Sequence, residues 1–142
     1  NISSMPEIAG GAARLVDPLP EYDNLSREVH HRRKKDSPSG TALSMAKVIT
    51  SASSRKKRIV TERLDRPIAA DELHVASVRG GEVPGIHTVL LDSVFDTVEI
   101  THSARSRGGF ALGAVRAAEW LVGRKGMFTV DDFIADLLGG KP

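Results

Sequence analysis

The sequence predicts an α+β domain: an open mixed or antiparallel β-sheet of about four strands with helices packed on one face. Alternating or apolar runs typical of strands occupy residues 22–31, 73–79, 86–92 and 97–102. Helical spacing of apolar residues indicates helices over 3–16, 40–52, 109–123 and 130–138. No internal repeat or low-complexity tract interrupts these elements. We therefore expect one domain over residues 1–142.

Composition excludes several classes of protein. With 40% apolar and 4% aromatic residues, the 142-residue chain can bury a core built from aliphatic side chains. Its net charge of +2 is too small to indicate a nucleic-acid partner. The absence of cysteine removes disulfides and Cys-based zinc sites, and fits a cytoplasmic protein. No apolar run approaches the ~20 residues that span a membrane. Because the chain begins at Asn1, we expect a fragment of something longer.

The strand predicted over 22–31 separates two kinds of side chain. Alternation places Leu25, Arg27 and Val29 on one side, and Ser26, Glu28 and His30 on the other. His30 and His31 should therefore point to opposite faces and serve different purposes. In the preceding helix, Ile8, Ala12 and Leu15 form the expected apolar stripe.

A helix start follows this strand. Ser37 is a suitable N-cap and Pro38 a suitable first helical residue. Ser39, Gly40 and Thr41 would then lie in the first turn, where free backbone N–H groups and the helix dipole attract anions. A plain capping sequence explains these three residues equally well.

The remaining segments predict simpler structure. Residues 53–72 are polar and charged, which indicates a long surface loop. The strands over 73–79, 86–92 and 97–102 are expected to form an antiparallel meander. A stripe of Phe110, Ala114, Ala117, Ala118 and Leu121 predicts a packed helix, and Thr129 should cap the last one.

Groups able to move protons and bind anions are concentrated in residues 28–43. A histidine such as His30 titrates near neutral pH and can act as an acid or a base. On residue type alone, an ordinary strand histidine is the more common explanation. The run Arg-Arg-Lys-Lys over 32–35 also fits a solvated loop or, less well, a basic patch for nucleic acid, since no aromatic residues are interleaved.

Metal binding and dinucleotide binding both lack a motif. The five histidines show no HExxH spacing, and His30 and His31 diverge, so we expect no metal site. His87 and His102 are assigned to the core or the sheet surface. Arg107, just before a glycine-led helix, could face an anion or an interdomain cleft. Neither Gly80-Gly81 nor Gly108-Gly109 has the GxGxxG spacing of a dinucleotide site.

Three stretches carry a resemblance to a known family. They are His30-His31-x-x-Lys34-x-Asp36-x-Pro38-Ser39-Gly40-Thr41-Ala42, then Val78-Arg79-Gly80-Gly81 with Gly85-x-His87, and Glu99-Ile-Thr-His102 leading to Ser106-Arg107-x-x-Phe110. Together they resemble the 4-hydroxy-tetrahydrodipicolinate reductase (dihydrodipicolinate reductase) family, and the resemblance extends over nearly the whole chain. It concerns only the C-terminal half of that enzyme, which binds substrate and forms the oligomer.

The resemblance implies a role for each matching residue. His30 would be the catalytic acid or base and Lys34 the proton donor, while His31, Gly40 and Thr41 would bind a small ring with two carboxylates. NADH or NADPH would be bound mainly by an N-terminal Rossmann domain that this chain lacks, with Asn1 as a possible contact at the joint between domains. The family also implies a homotetramer. Residues 53–72 depart from the family pattern, because Arg63 and Arg66 occur without the usual glycines.

Two functions thus remain after the resemblance is considered. The first is the substrate-binding half of an NAD(P)H-dependent reductase in diaminopimelate and lysine biosynthesis, which alone should turn over nothing. The second is a non-catalytic oligomerisation or anion-binding domain that retains the family fold. The preference between NADH and NADPH is not encoded in these residues.

Overall fold

The structure, a computed structural model, describes residues 5–139. Its elements in chain order are helix α1 (Met5–Val16), strand β1 (Asp23–His30), helix α2 (Gly40–Ala52), strands β2 (Arg58–Val60), β3 (Glu72–Arg79), β4 (Ile86–Asp92) and β5 (Thr97–Ser103), and helices α3 (Gly108–Leu121) and α4 (Val130–Leu137). The α+β class is confirmed. Within residues 5–139, no helix is both long and apolar enough to cross a membrane.

One mixed sheet of five strands, in the order β2-β3-β1-β4-β5, organises the domain. Strand β1 is central, parallel to β3 and antiparallel to β4, while β2 runs parallel to β3 and β5 antiparallel to β4. The expected meander is therefore wrong for β3 and β4, because β1 lies between them. The loop over 53–72 also contains an unexpected strand, β2. Its three residues are too short to show alternation, and they become a strand through pairing with β3.

Helices α1 and α2 cover one face of the sheet and form the core with it. The buried apolar residues are Met5, Ala9, Ala13 and Val16 of α1, Ala42, Met45, Ala46 and Ile49 of α2, and Leu73, Val75, Val89 and Leu91 of the sheet. The stripe expected on α1 is wrong, since Ile8 is 51% and Leu15 is 80% exposed. Small residues such as Ala9 and Ala13 face the core because α2 lies close to α1.

The close approach of α1 and α2 depends on Gly10. A Cβ atom at this position would lie 2.4 Å from Cγ1 of Val48 in α2. An alanine would require the Val48 side chain or one of the helices to shift. Gly10 therefore favours the close contact between α1 and α2.

The alternation predicted for β1 is confirmed, and its polar side is the buried one. Asn24, Ser26, Glu28 and His30 are buried, whereas Leu25 and Arg27 are exposed. These four buried polar residues alternate along the strand, and buried polar groups usually have hydrogen-bond partners.

Helices α3 and α4 pack mainly on each other. None of the residues of α3 is buried, so the expected packed stripe from Phe110 to Leu121 is wrong. The Trp120 ring instead contacts Phe128 and Phe133, at centroid distances of 5.3 and 5.4 Å. Thr129 caps α4 as expected, in a capping box with Asp132.

Candidate active site

The inner face of the sheet changes from apolar to polar along its length. Its apolar end lies beneath α1 and the middle of α2. The other end carries the buried residues Glu28 and His87, with His30 and Arg79 paired in register on β1 and β3. The N-terminus of α2 lies over this polar end, since Ser39 contacts both Glu28 and His87. The start of a helix and a cluster of titratable groups therefore meet at one place.

Ser39, and not Ser37, is the N-cap of α2. Its backbone is extended, with φ −68° and ψ 156°, and its Oγ accepts a hydrogen bond of 3.2 Å from the N–H of Ala42. The expected start at Ser37-Pro38 is wrong because the helix begins two residues later, at Gly40, and the Ser37–Pro38 peptide bond is cis. Gly40 and Thr41 do lie in the first turn, as predicted.

Glu28 is the centre of the buried polar network. Its Oε1 accepts hydrogen bonds from Nη2 of Arg79 at 2.6 Å and from the Ser39 N–H at 3.2 Å. Its Oε2 contacts Nδ1 of His30. Burial raises the pKa of this carboxyl, but the hydrogen bonds, first of all from Arg79, outweigh burial and leave the pKa below its ordinary value. Glu28 is therefore an anion at neutral pH.

His30 and His87 are two neutral imidazoles side by side. Their ring centroids are 5.1 Å apart, with the planes at 75°. Burial lowers the pKa of His30, against the opposing influence of Glu28. Burial also lowers the pKa of His87 to about 4. Nε2 of His87 lies 3.1 Å from Oγ of Ser39, which links this ring to the start of α2.

A cavity of about 280 Å³ opens beside these rings. It is lined by all five residues expected to form the site, namely His30, Lys34, His31, Gly40 and Thr41, and also by Pro84, Gly85, Ala104, Arg107 and Phe110. His30 and His31 both reach it, contrary to the expectation that they serve separate faces. His31 lies just past the end of β1, where its N–H donates to the carbonyl of Val83, so strand alternation no longer governs its direction.

The cationic residues 32–35 do not all face the cavity. Arg33 forms a bidentate pair with Glu82, at 2.7 and 2.5 Å, on the surface. Lys34 instead lines the cavity, and its Nζ lies 2.8 Å from Oδ1 of Asp36. Lys34 and Arg107 thus bring two positive charges to the cavity wall.

Three residues of this network, Glu28, Arg79 and His87, were given no role in the site from the sequence, although Arg79 and His87 stand in the stretches that carry the resemblance. Glu28 could have been found, since alternation places it on the same side of β1 as His30. Arg79 and His87 come beside it through strand pairing, which aligns Arg79 with His30 and His87 with Glu28. That register cannot be read from any local spacing.

Strand pairing also creates a convergent set of potential metal ligands, which the sequence did not indicate. Ligand atoms of Glu28, His30 and His87 lie within 4.8 Å of one another. The guanidinium of Arg79 already bonds to Glu28, however, and its positive charge opposes a cation there. The three residues are better described as a buried acid–base cluster than as a metal centre.

The described residues do not fit a dinucleotide. Gly80-Gly81 lies in the connection that follows β3, and Gly108-Gly109 opens α3 after an antiparallel strand. Neither belongs to a βαβ unit with a glycine-rich turn. The possible cofactor contact at Asn1 lies outside the described residues.

Comparisons with known proteins identify the family of the chain. The family model described as dihydrodipicolinate reductase, C-terminus, matches residues 2–134. Among curated relatives, 4-hydroxy-tetrahydrodipicolinate reductase from Christiangramia forsetii is 43% identical, over 88% of this chain and 51% of its own. The reductase of the same name from Aquifex aeolicus is 40% identical, over 80% of this chain and 43% of its own. The chain thus spans about half the length of these relatives.

A solved structure supports the fold. It is described as dipicolinate-bound dihydrodipicolinate reductase from Paenisporosarcina sp. TG-14, and it aligns with a TM-score of 0.58 at 23% identity, over 81% of this chain and 45% of that one. The family match covers almost all of the chain, and two relatives are at least 40% identical. The chain therefore belongs to the dihydrodipicolinate reductase family, of which it is the C-terminal domain.

Proposed function

We propose that this chain is the substrate-binding half of a 4-hydroxy-tetrahydrodipicolinate reductase, an NADH- or NADPH-dependent enzyme that yields tetrahydrodipicolinate for diaminopimelate and lysine biosynthesis in the cytoplasm. The observation that supports it best is the convergence of His30, His31, Lys34 and the start of α2 on one cavity. The similarly folded protein described as dipicolinate-bound supports a small dicarboxylate ring as the ligand.

Each residue has a chemical task in this proposal. His30, neutral at pH 7, serves as the acid or base, and Lys34 donates a proton to the reduced ring. His31 holds one carboxylate together with Gly40 and Thr41, whose backbone N–H groups lie in the first turn of α2. Arg107, which also lines the cavity, adds a positive charge for the ligand's second negative group.

The hydride donor belongs to another part of the enzyme in this proposal. The reduced nicotinamide would be held by an N-terminal nucleotide-binding domain, because no described segment here fits a dinucleotide. Exposed apolar residues at the end of α4, Leu137 and Leu138, offer that domain a surface to pack on. The preference for NADH or NADPH would then reside there.

The outer face of the sheet is proposed to join copies of the chain, as a homotetramer. Leu25 and Val78 are exposed on this face, on neighbouring strands. Light scattering of the full-length protein checks this. Leu25→Glu should dissociate the oligomer, whereas Val94→Glu, in the exposed turn between β4 and β5, should not. A monomeric wild-type protein at high concentration would contradict the assembly.

The function is tested by binding and turnover in the full-length protein. Pyridine-2,6-dicarboxylate should bind, and Lys34→Met should weaken its binding and reduce turnover by at least about 100-fold, as expected for loss of an acid–base group. Lys35→Met is the matched control, since Lys35 is exposed and does not line the cavity. Equal turnover in both variants would favour the alternative, a non-catalytic oligomerisation or anion-binding domain with the family fold.

A further inference from the structure

We propose that Glu28 is a positioning residue for His30: its carboxylate holds the imidazole with the proton on Nδ1 and leaves Nε2 free on the side of the cavity. This inference deepens the proposed function and rests on it for its link to turnover. The arrangement itself can be measured in the protein without any substrate. Glu28 does not line the cavity, so its action on a ligand passes through His30.

The carboxylate of Glu28 is held in a fixed orientation. Glu28 is fully buried. Oε1 is held from two directions, by the guanidinium of Arg79 and by the Ser39 N–H. Arg79 is itself anchored, since the same Nη2 donates a hydrogen bond of 2.7 Å to the backbone carbonyl of Asp36. The strand, the neighbouring strand and the start of α2 therefore fix this carboxylate together.

The contact with Glu28 determines which ring nitrogen of His30 carries the proton. Oε2 of Glu28 contacts Nδ1 of the ring. An ionised carboxylate can only accept hydrogen bonds, and a neutral imidazole carries one N–H. The favourable arrangement therefore places that N–H on Nδ1.

Nε2 lies on the opposite edge of the His30 ring from Glu28. Nε2 of His30 is on the side of Gly85, where an added Cβ atom would lie only 2.9 Å from it. Both His30 and Gly85 line the cavity. Because Gly85 has no side chain, space remains beside Nε2 of His30. The lone pair of Nε2 is therefore available to a group bound in the cavity.

The negative charge of Glu28 also affects the pKa of His30. When His30 takes a proton, the positive ring is formed in a buried site, which is unfavourable. The negative charge of Glu28 offsets part of this cost and raises the pKa of His30 against the effect of burial. Loss of the Glu28 charge would therefore make His30 a weaker base and leave its imidazole ring less well oriented.

Histidine nitrogen NMR of the full-length protein tests the inference directly. At pH 8 the wild-type His30 should show the proton on Nδ1. Glu28→Gln, which keeps the shape and removes the charge, should lower the pKa of His30 by about 1 unit or more. Glu82→Gln is the matched control, because Glu82 is exposed and contacts Arg33, not His30. A wild-type proton on Nε2 overturns the inference, even if the Glu28 variant fails to fold.

Turnover supplies the second readout. Glu28→Gln should reduce kcat on the order of 10- to 100-fold, as seen when metal-binding histidines lose the partner that orients them, with little change in KM. The limb of the pH–rate profile that reports His30 should move to lower pH. If the variant is less stable but keeps the wild-type pH profile and the His30 pKa, Glu28 is only structural and the inference is wrong.

The two proposals can fail separately. If pyridine-2,6-dicarboxylate does not bind while His30 carries its proton on Nδ1, the reductase function fails and the positioning by Glu28 stands. If the ligand binds and turnover is normal while the proton is on Nε2, the function stands and the positioning fails.

Discussion

The two sides of strand β1 differ in a way that residue hydrophobicity alone would not suggest. The polar residues Glu28 and His30 are buried, while the apolar Leu25 is exposed beside Arg27. The buried side is tolerated because its charges have fixed partners, above all the pair between Glu28 and Arg79. The exposed side is free to contact another chain. In this domain one strand separates the proposed chemistry from the proposed assembly.

Removal of the buried ion pair between Arg79 and Glu28 should have the largest effect on stability. Arg79→Met keeps much of the side-chain volume but leaves the Glu28 carboxylate buried without its main partner. We expect a loss of about 3–5 kcal/mol in the free energy of unfolding, the usual cost of removing one member of a buried ion pair. Urea denaturation measures it.

The matched change on the other side of β1 is Arg27→Met. The pair between Arg27 and Glu99 is 54% and 45% exposed, so its loss should cost less than about 1 kcal/mol. If Arg79→Met and Arg27→Met lowered the free energy of unfolding by similar amounts, the proposed difference between the inner and outer faces of the sheet would be contradicted.

Acid should destabilise the inner face through His87. Burial lowers its pKa to about 4 in the folded protein, from the ordinary histidine value of 6.5. Between these two values the unfolded chain binds the proton more readily, so stability is lost as the pH falls. Between pH 7.5 and 4.5 this residue should account for a loss of roughly 2.5 kcal/mol.

His87→Gln supplies the comparison for this prediction. Urea midpoints at both pH values should differ less in the variant than in the wild type, because the buried imidazole is gone. Equal pH dependence in the two proteins would mean that His87 is not held neutral by burial.

The smallest of the three effects is expected at Gly85. In Gly85→Ala the new methyl group would approach Nε2 of His30 to 2.9 Å, so the ring or the loop must move. We expect a loss of about 1–3 kcal/mol, as for other overpacked sites, and a changed NMR signal of His30. Gly80→Ala is the control, since no heavy atom lies within 4 Å of its added Cβ. An unchanged His30 signal in Gly85→Ala would contradict the contact.

Local patterns predicted the elements well and their packing less well. The alternation of β1 and the helical spacing of α2 are short-range properties, and both are confirmed. The stripe on α1 was misplaced because large residues such as Ile8 and Leu15 dominate the pattern. The close contact with α2 instead selects alanine and glycine, as at Gly10. Helix α3 shows the opposite case, an apolar stripe that nothing within the described residues buries.

The candidate site shows the same division between local and distant information. His30, Lys34 and Gly40 lie within eleven consecutive residues, and their placement on one cavity follows from a strand, a turn and a helix start in succession. The expected N-cap at Ser37 was wrong by two residues. Ser39 is the N-cap, and it contacts Glu28 and His87, which are distant in sequence and do not enter capping rules.

By itself, the sequence determined the α+β class and most of the helices and strands, because these depend on periodicity and on neighbours along the chain. The five expected residues that line the cavity were indicated by the family resemblance and not by periodicity. The tertiary structure alone decided that β1 lies between β3 and β4, and thereby that Arg79 and His87 meet Glu28. Hydrogen bonding between strands distant in sequence sets that register. Charge and proton position at His30 are therefore properties of the folded sheet.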